Sequence, residues 1–298
     1  MLTIFSMPKA FRGHIGVIQR NAIRSWTHLS PRPEIILFGS DEGTREAAEE
    51  FGTRHVPDVA VNEYGTPLLG DIFRQAEARA NAEIMCYVNA DIIVLSDALR
   101  AIDRVRARLQ RFLLISERID LDITEALAFN PGWEATLSEL RKHDGVPVGY
   151  TGIDIFVFPK GTYPRVPDFA LGRLWFDQWL IKAALESGIP VVDLSRVSPV
   201  IHQNHDYGHV PGGKEWVWKG KEQKHNLELY GSPPHSHTFL SVTHELTRGG
   251  GIRRVRLRKK LFKTKEFVWE VFVKRTARLR SALGFNRKHW QTGPTQSN

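Results

Sequence analysis

Residues 86–94 read CYVNADIIV, an apolar run that leads onto one carboxylate, Asp91. Burying a carboxylate without a partner costs several kcal/mol. Asp91 is therefore expected at the carboxyl end of a strand, where open α/β sheets hold their ligands; capping the helix that follows is the plainer role for it. Asp41 in GSDEG, Asp154 in GIDIFVF and Asp177 in WFDQWL stand at comparable points. Each alone has a structural use: Asp41 in a turn, Asp154 paired within the sheet, Asp177 favoured by a helix N-terminus. Four carboxylates on one edge of a sheet point instead to a site. Downstream, HQNHDYGH brings His202, His205, Asp206 and His209 together. In an extended chain His202 and Asn204 share one face and His205 takes the other. One histidine with Asp91 makes a mixed nitrogen and oxygen set suited to Mn²⁺ or Mg²⁺. The spacing does not fit H-E-x-x-H, and no paired cysteines suggest zinc.

The elements that must position these residues are legible from spacing. Residues 2–6 and 34–38 read as short strands, and Ile15, Ile18, Ala22, Ile23 and Trp26 predict a helix over 14–29. A helix over 44–51 stops at Gly52, His55-Val56 makes a third short strand, and a helix over 68–80 leads into a strand over 84–89. Residues 95–110 are helical in pattern, 111–118 extended and 133–143 helical. YTGIDIFVFPKG is a strand closed by Pro159 and Gly161, and WFDQWLIKAALESG is a helix ending at Gly188. Two more short strands follow up to His202, and 208–250 reads as loops with short helices. This β/α alternation argues for a parallel sheet with helices on both faces.

Composition removes several classes. A 42% hydrophobic and 25% charged chain of 298 residues is ordinary for a globular protein with a substantial core. The single cysteine, Cys86, rules out a disulfide framework and suggests a reducing compartment. The start MLTIFSMPKAF reads as a strand, not a signal peptide, and no apolar run approaches the roughly 20 residues of a membrane span. No G-x-G-x-x-G follows the first strand and no G-x-x-x-x-G-K-[ST] occurs, so neither a dinucleotide fold nor a P-loop enzyme is supported.

Taken in order, N-A-D at the end of the fourth strand, GIDIFVFP, WFDQWL and IHQNHDY resemble the GT-A-type glycosyltransferases, and are family-2-like. More narrowly, NEYGTPLLGDIF, CYVNADIIVLSD and IHQNHDYGH resemble a bacterial group of GT-A-like proteins, over about residues 2–248. The resemblance implies a Rossmann-like, mixed and mostly parallel sheet flanked by helices. It also implies a nucleotide-sugar donor (UDP- or GDP-sugar) and a divalent cation, Mn²⁺ or Mg²⁺. On this likeness Asp91 holds the metal on the donor diphosphate and His202 completes the metal site. Asp41 touches the nucleobase, Gly65 lets the backbone approach the nucleotide, and Asn89 stands where the first Asp of D-x-D would contact ribose or sugar. Asp177 matches the catalytic base of inverting members: an attacking hydroxyl must lose its proton, and a placed carboxylate takes it. WFDQWL carries one acid where the inverting motif carries two. Asp154, Arg173, His205 and the 205–220 loop with Trp216 and Trp218 are expected on the acceptor side.

The expected organisation is a catalytic domain over 1–248 and a basic helical extension over 249–298 with a disordered end. The net charge of +8 is concentrated there: Arg248 to Lys288 holds 15 Lys and Arg against Glu266 and Glu270. Leu261, Val268, Phe272, Leu279 and Leu283 share a helical face over 252–283, a pattern that lies on anionic membranes. Packing on the domain and contact with nucleic acid are the weaker readings, the last the least favoured. The expected partners are a nucleotide sugar and a glycan or lipid-linked acceptor, with the protein cytoplasmic or peripheral on the membrane's cytoplasmic face. A sugar-1-phosphate nucleotidyltransferase is disfavoured because MPKAFRGHIG matches its Gly-rich basic loop poorly. An inactive nucleotide-sugar-fold binding protein is supported by Asn89 and opposed by Asp91, Asp177 and His202.

Overall fold

Side chains alternate along a strand, and here both sides of the alternation are apolar. In the computed structural model, which describes residues 1–205 and 219–255, β4 (Ile84–Val88) is buried throughout. Met85 and Tyr87 enter one core, Ile84, Cys86 and Val88 the other. β2 (Glu34–Phe38) divides in the same way, with Ile36 and Phe38 on the first side and Ile35 and Leu37 on the second. The first core is covered by α3 (Leu69–Arg79) and α6 (Phe176–Glu186), through Leu69, Ile72, Phe73, Leu180 and Ile181. The second is covered by α1 (Gly13–Thr27) and α4 (Ser96–Arg106), through Ile23, Trp26, Ala101 and Val105. A sheet between two helical layers is the result.

The sheet order is β12 (Ile252–Arg254), β11 (His244–Leu246), β9 (Val191–Asp193), β6 (Leu113–Leu121), β8 (Ile153–Pro159), β4, β1 (Leu2–Ser6), β2, β3 (Arg54–Val56). β8 runs antiparallel to both β4 and β6, and β12 antiparallel to β11. The remaining pairs of this row are parallel. This is the mixed, mostly parallel α/β sheet expected from the sequence. A short second ladder places β10 (Val200–Gln203) between β5 (Ile92–Ile93) and the distal half of β6, which also pairs with β7 (Val146–Pro147). Around these lie α2 (Thr44–Phe51), α5 (Trp133–His143) and α7 (Lys221–Tyr230). Among the described residues no helix is long and apolar enough to cross a membrane.

Two expectations are corrected. The strand read over 111–118 continues to Leu121, because β7 and β10 supply partners to its polar end. Residues 244–254, expected as loop and the start of a basic helix, form the β11–β12 hairpin instead. The glycines of RGGG allow the reversal: Gly250 has φ 79°, and Thr247 exchanges backbone hydrogen bonds with Gly250 and Gly251 at 2.8 and 2.9 Å. The rest of the expected helix, 256–283, lies outside the described residues.

Gln203 fixes the second ladder. It is fully buried; its Nε2 donates to Ile18 O at 2.7 Å and to Asp91 O at 3.1 Å, and its Oε1 accepts from Asn21 Nδ2 at 3.0 Å. Gln203→Leu removes these bonds and is expected to cost about 1–3 kcal/mol in urea unfolding. An unchanged midpoint would mean that β10 is held by its ladder alone.

Candidate functional site

After β4 the chain turns at Asn89-Ala90-Asp91, closed by Ile92 N–H donating to Asn89 O at 3.1 Å. Strand register does the rest. His202 stands opposite Ile92 on one side and opposite Asp120 on the other, so it meets both Asp91 and Asp120. His202 Nε2 lies 3.7 Å from Asp91 Oδ2, and its Nδ1 lies 3.0 Å from Asp120 Oδ1, an ion-pair contact off the line of a hydrogen bond. His205 Nε2 approaches the same Asp91 oxygen at 3.1 Å. The other oxygen, Asp91 Oδ1, is buried without a hydrogen-bond partner among the described residues. Burial by itself would raise the Asp91 pKa. The His205 hydrogen bond and the charges of His202 and Lys9 outweigh it and hold the carboxyl well below the usual range. Burial likewise pulls His202 down, but Asp120 and Asp91 prevail and raise it.

Asp91, His202 and His205 each offer a ligand atom, all within 4.8 Å of one another. An orphaned buried carboxylate oxygen beside two imidazoles fits a divalent cation. The two nitrogens suit Mn²⁺ better than Mg²⁺, which favours oxygen and water.

A hydrogen-bonded circuit braces this group. Arg118 Nε donates to Asp120 Oδ1 at 2.8 Å and Arg118 Nη1 to Asp154 Oδ2 at 3.0 Å. Asp154 Oδ1 accepts from Asn89 Nδ2 at 2.7 Å. With both oxygens engaged and 9% exposure, Asp154 ties the Asn89 turn to β6. Arg118 and Asp120 point the same way because they are two apart on a strand. Asp120, 3.0 Å from His202 Nδ1, stands where the carboxylates behind metal-bound histidines stand.

The Asp91 turn forms part of the wall of a cavity of about 430 Å³ at the carboxyl ends of β1, β2 and β4. Asp41, Gly65, Asn89 and Arg173 also line it. Gly65 has φ 76°, in a turn that Asn62 Oδ1 closes by accepting the Tyr64 and Thr66 N–H groups at 2.9 and 3.0 Å. Lys9, between β1 and α1, enters the same wall. Its backbone N–H donates to Gln19 Oε1 at 2.7 Å, and its carbonyl accepts from Gln19 Nε2 at 2.8 Å. Arg173 is anchored by Nε and Nη2, which donate to Glu222 Oε2 at 2.9 and 2.7 Å. Glu222, on α7, also accepts from Asn62 Nδ2 at 2.7 Å. One buried carboxylate thus fastens the 62–66 turn, the approach to α6 and α7.

Asp177 lies in the first turn of α6, directly after Phe176, which lines the cavity. The helix starts from Trp175 at φ 90°, a strained conformation for a residue with a side chain. Burial pushes the Asp177 carboxyl up to about 7 and the Asp154 charge adds to it, against backbone N–H groups that pull it down. A carboxyl that titrates near neutrality suits general-base chemistry; Asp177 itself is not among the residues that line the cavity.

Asp41, Gly65, Asn89, Asp91 and Arg173, singled out in the sequence, therefore share one cavity. His205, expected on the acceptor side, is on Asp91; β10 ends at Gln203, and strand alternation no longer governs the next residues. Trp216, Trp218, Asp206 and His209 lie outside the described residues. Sequence reasoning missed Lys9, Arg118, Asp120 and Glu222. The alternating polar pair Arg118 and Asp120, closing an apolar strand, was a usable signal; Glu222 offered none.

No protein-family model matches the chain, and no curated protein matches it. Among solved structures it is similar to glucosyl-3-phosphoglycerate synthase from Mycobacterium tuberculosis in complex with Mg²⁺ and UDP. That likeness has 16% identity and a TM-score of 0.47, over 79% of this chain and 81% of the synthase chain. It is also similar to residues 1–349 of S. aureus TarS in complex with UDP-GlcNAc, at 12% identity and TM-score 0.47, over 70% of this chain and 60% of that one. Likenesses of this depth assign neither substrate nor reaction, which rest on the side chains themselves.

Two outcomes follow from the geometry. Asp120→Asn is expected to weaken Mn²⁺ binding roughly tenfold to a hundredfold in calorimetric titration, through loss of His202 orientation; equal affinity would make the Asp120 contact incidental. The Asp177 carboxyl has a folded pKa near 7 and an ordinary value of 3.8. The stability associated with its protonated form is complete below the ordinary value and is lost as pH rises through about 7. Asp177→Asn is thus expected to melt above the wild type at pH 8, with the gap closing towards pH 4. Parallel melting curves at both pH values would mean an unshifted carboxyl.

Proposed function

We propose that the protein is a GT-A-type glycosyltransferase that moves a hexosyl group from a UDP- or GDP-sugar to a hydroxyl of a glycan or lipid-linked acceptor, with inversion. The observation that carries this reading is the buried, orphaned Oδ1 of Asp91, whose carboxylate stands beside His202 and His205, in the wall of a cavity that also holds Asp41, Gly65 and Asn89. Asp91, His202 and His205 are the residues that would hold the cation. When bound, it offsets the charge that collects on the leaving diphosphate.

The chain's own groups do the rest. Asp41 accepts from the nucleobase, and the Gly65 turn presents backbone to the nucleotide. Asn89, held by Asp154, donates to ribose or sugar. Arg173, fixed by Glu222, orients the acceptor beside Phe176. Asp177 takes the acceptor hydroxyl's proton as the oxygen attacks the anomeric carbon, and its raised pKa strengthens it as a base. A role in polysaccharide synthesis at the cytoplasmic face of a membrane is consistent with the basic sequence after Arg248.

The test is turnover and thermal shift with UDP-, GDP-, CDP- and dTDP-sugars, with and without Mn²⁺. One nucleotide sugar is expected to bind and turn over with metal, and Asp91→Ala to abolish both. Asp177→Asn is expected to lower kcat by about 10²–10⁴ while donor binding persists. The wild-type kcat/KM should rise with pH through an apparent pKa near 7. No binding by any nucleotide sugar, with Asp91→Ala altering stability alone, overturns the reading; binding without turnover leaves only the nucleotide-sugar-binding protein.

A further inference from the structure

MPKAF, the turn between β1 and α1, is built around one side chain. Pro8 is buried, and its ring fixes the backbone φ just ahead of Lys9. Gln19, 2% exposed on α1, uses both of its polar atoms on the Lys9 backbone. Its Oε1 accepts from Lys9 N–H at 2.7 Å, and its Nε2 donates to Lys9 O at 2.8 Å. A buried amide committed in both directions to one residue sets where that residue's side chain begins. The Lys9 side chain is partly buried and lies in the cavity wall. Its Nζ makes no hydrogen bond and no ion pair among the described residues. Burial lowers its pKa, and the carboxylates that oppose the shift are Asp91 and Asp154, not Asp41. Lys9 therefore belongs to the Asp91 side of the cavity. Among the described residues Arg173 is the other basic side chain in this wall, and its fork is already committed to Glu222.

We propose that Lys9 is a catalytic residue that holds the terminal phosphate of the donor's diphosphate and stabilises it as it leaves. This rests on the nucleotide-sugar reading of the same cavity and adds a second receiver for the leaving charge. The charge balance calls for one. A divalent cation held by Asp91 keeps a single net positive charge, and Asp41 lines the same wall. As the sugar moves, the bond from the anomeric carbon to the phosphate oxygen breaks and its electron pair stays on that oxygen. The acceptor oxygen forms the new bond, and its proton goes to Asp177. Lys9 gives up no proton: it stays an ammonium and donates a hydrogen bond to the departing phosphate, where charge collects. A compact ammonium with rotatable donors follows oxygens that shift as the bond breaks, which a fixed guanidinium fork does less well. The terminal phosphate is assigned over the first because Lys9 senses Asp91 and Asp154, away from Asp41 at the nucleobase end.

The experiment is calorimetric titration of the full chain with UDP and UMP, and with GDP and GMP, in chelator and again with Mn²⁺. The wild type is expected to bind one diphosphate more tightly than its monophosphate. Lys9→Met should weaken that diphosphate roughly tenfold to a hundredfold and the monophosphate by less than about threefold. Lys9→Gln, which keeps a donor without the charge, should fall between, and it carries the comparison if the Met variant fails to fold. Titration with Mn²⁺ alone separates a ligand-binding cation from a prop for the metal site. Removing a cation near Asp91 should leave Mn²⁺ affinity equal or higher, so a fall in Mn²⁺ affinity overturns the proposal. Undiminished diphosphate binding in the variants overturns it too, as does a wild type indifferent to the second phosphate. An equal loss for monophosphate and diphosphate moves Lys9 to the first phosphate and overturns the assignment. A wild type that binds none of the four nucleotides in either buffer removes the donor reading itself, and this proposal with it; that result is seen before any variant is made.

Discussion

The site rests on one constraint: a carboxylate must stay charged where burial would neutralise it. Asp91 meets that constraint through groups arriving from three parts of the chain, His202 from β10, the hydrogen bond of His205 just beyond it and Lys9 from the turn after β1. Each is held by something else. His202 faces Asp120 across the β6 register, Gln19 clips the Lys9 backbone in both directions, and Gln203 pins β10 to α1 and to the Asp91 carbonyl. Remove the Asp91 carboxylate and these groups lose their common partner, which is costly in a low-dielectric setting.

The antiparallel insertion of β8 explains why so many acids meet at one edge. In a wholly parallel sheet only strand ends reach the ligand side. Because β8 runs the other way, its first residues arrive there, and Asp154 comes to Asn89 and Arg118 from the start of a strand. Asp154 then acts in two directions. It braces Asn89 at the cavity wall, and its negative charge raises the Asp177 pKa.

Much of this was legible before any coordinates. Residues 44–51 and 133–143 match their helices without adjustment, because the Gly52 stop and the apolar spacing are local signals. Asp41 and Asp91 stood out by their place after strands, Gly65 and Asn89 by the likeness to GT-A sequences. What stayed hidden was non-local. The approach of His205 to Asp91 depends on where β10 stops, and the role of Glu222 depends on α7 docking against Arg173 and Asn62. The β11–β12 hairpin escaped because two three-residue strands separated by RGGG carry too little periodicity to outweigh a basic helical pattern.

The wide sequence separation of the partners has its own consequence. Asp91 and His205 are 114 residues apart, and the strands that unite them are joined through β6 and β8, laid down between. Closing such long loops is entropically slow and is rewarded only when the last strand docks. A chain that stops short of β10 therefore has no version of the Asp91, His202 and His205 group. Formation of that group reports that β10 has docked between β5 and β6.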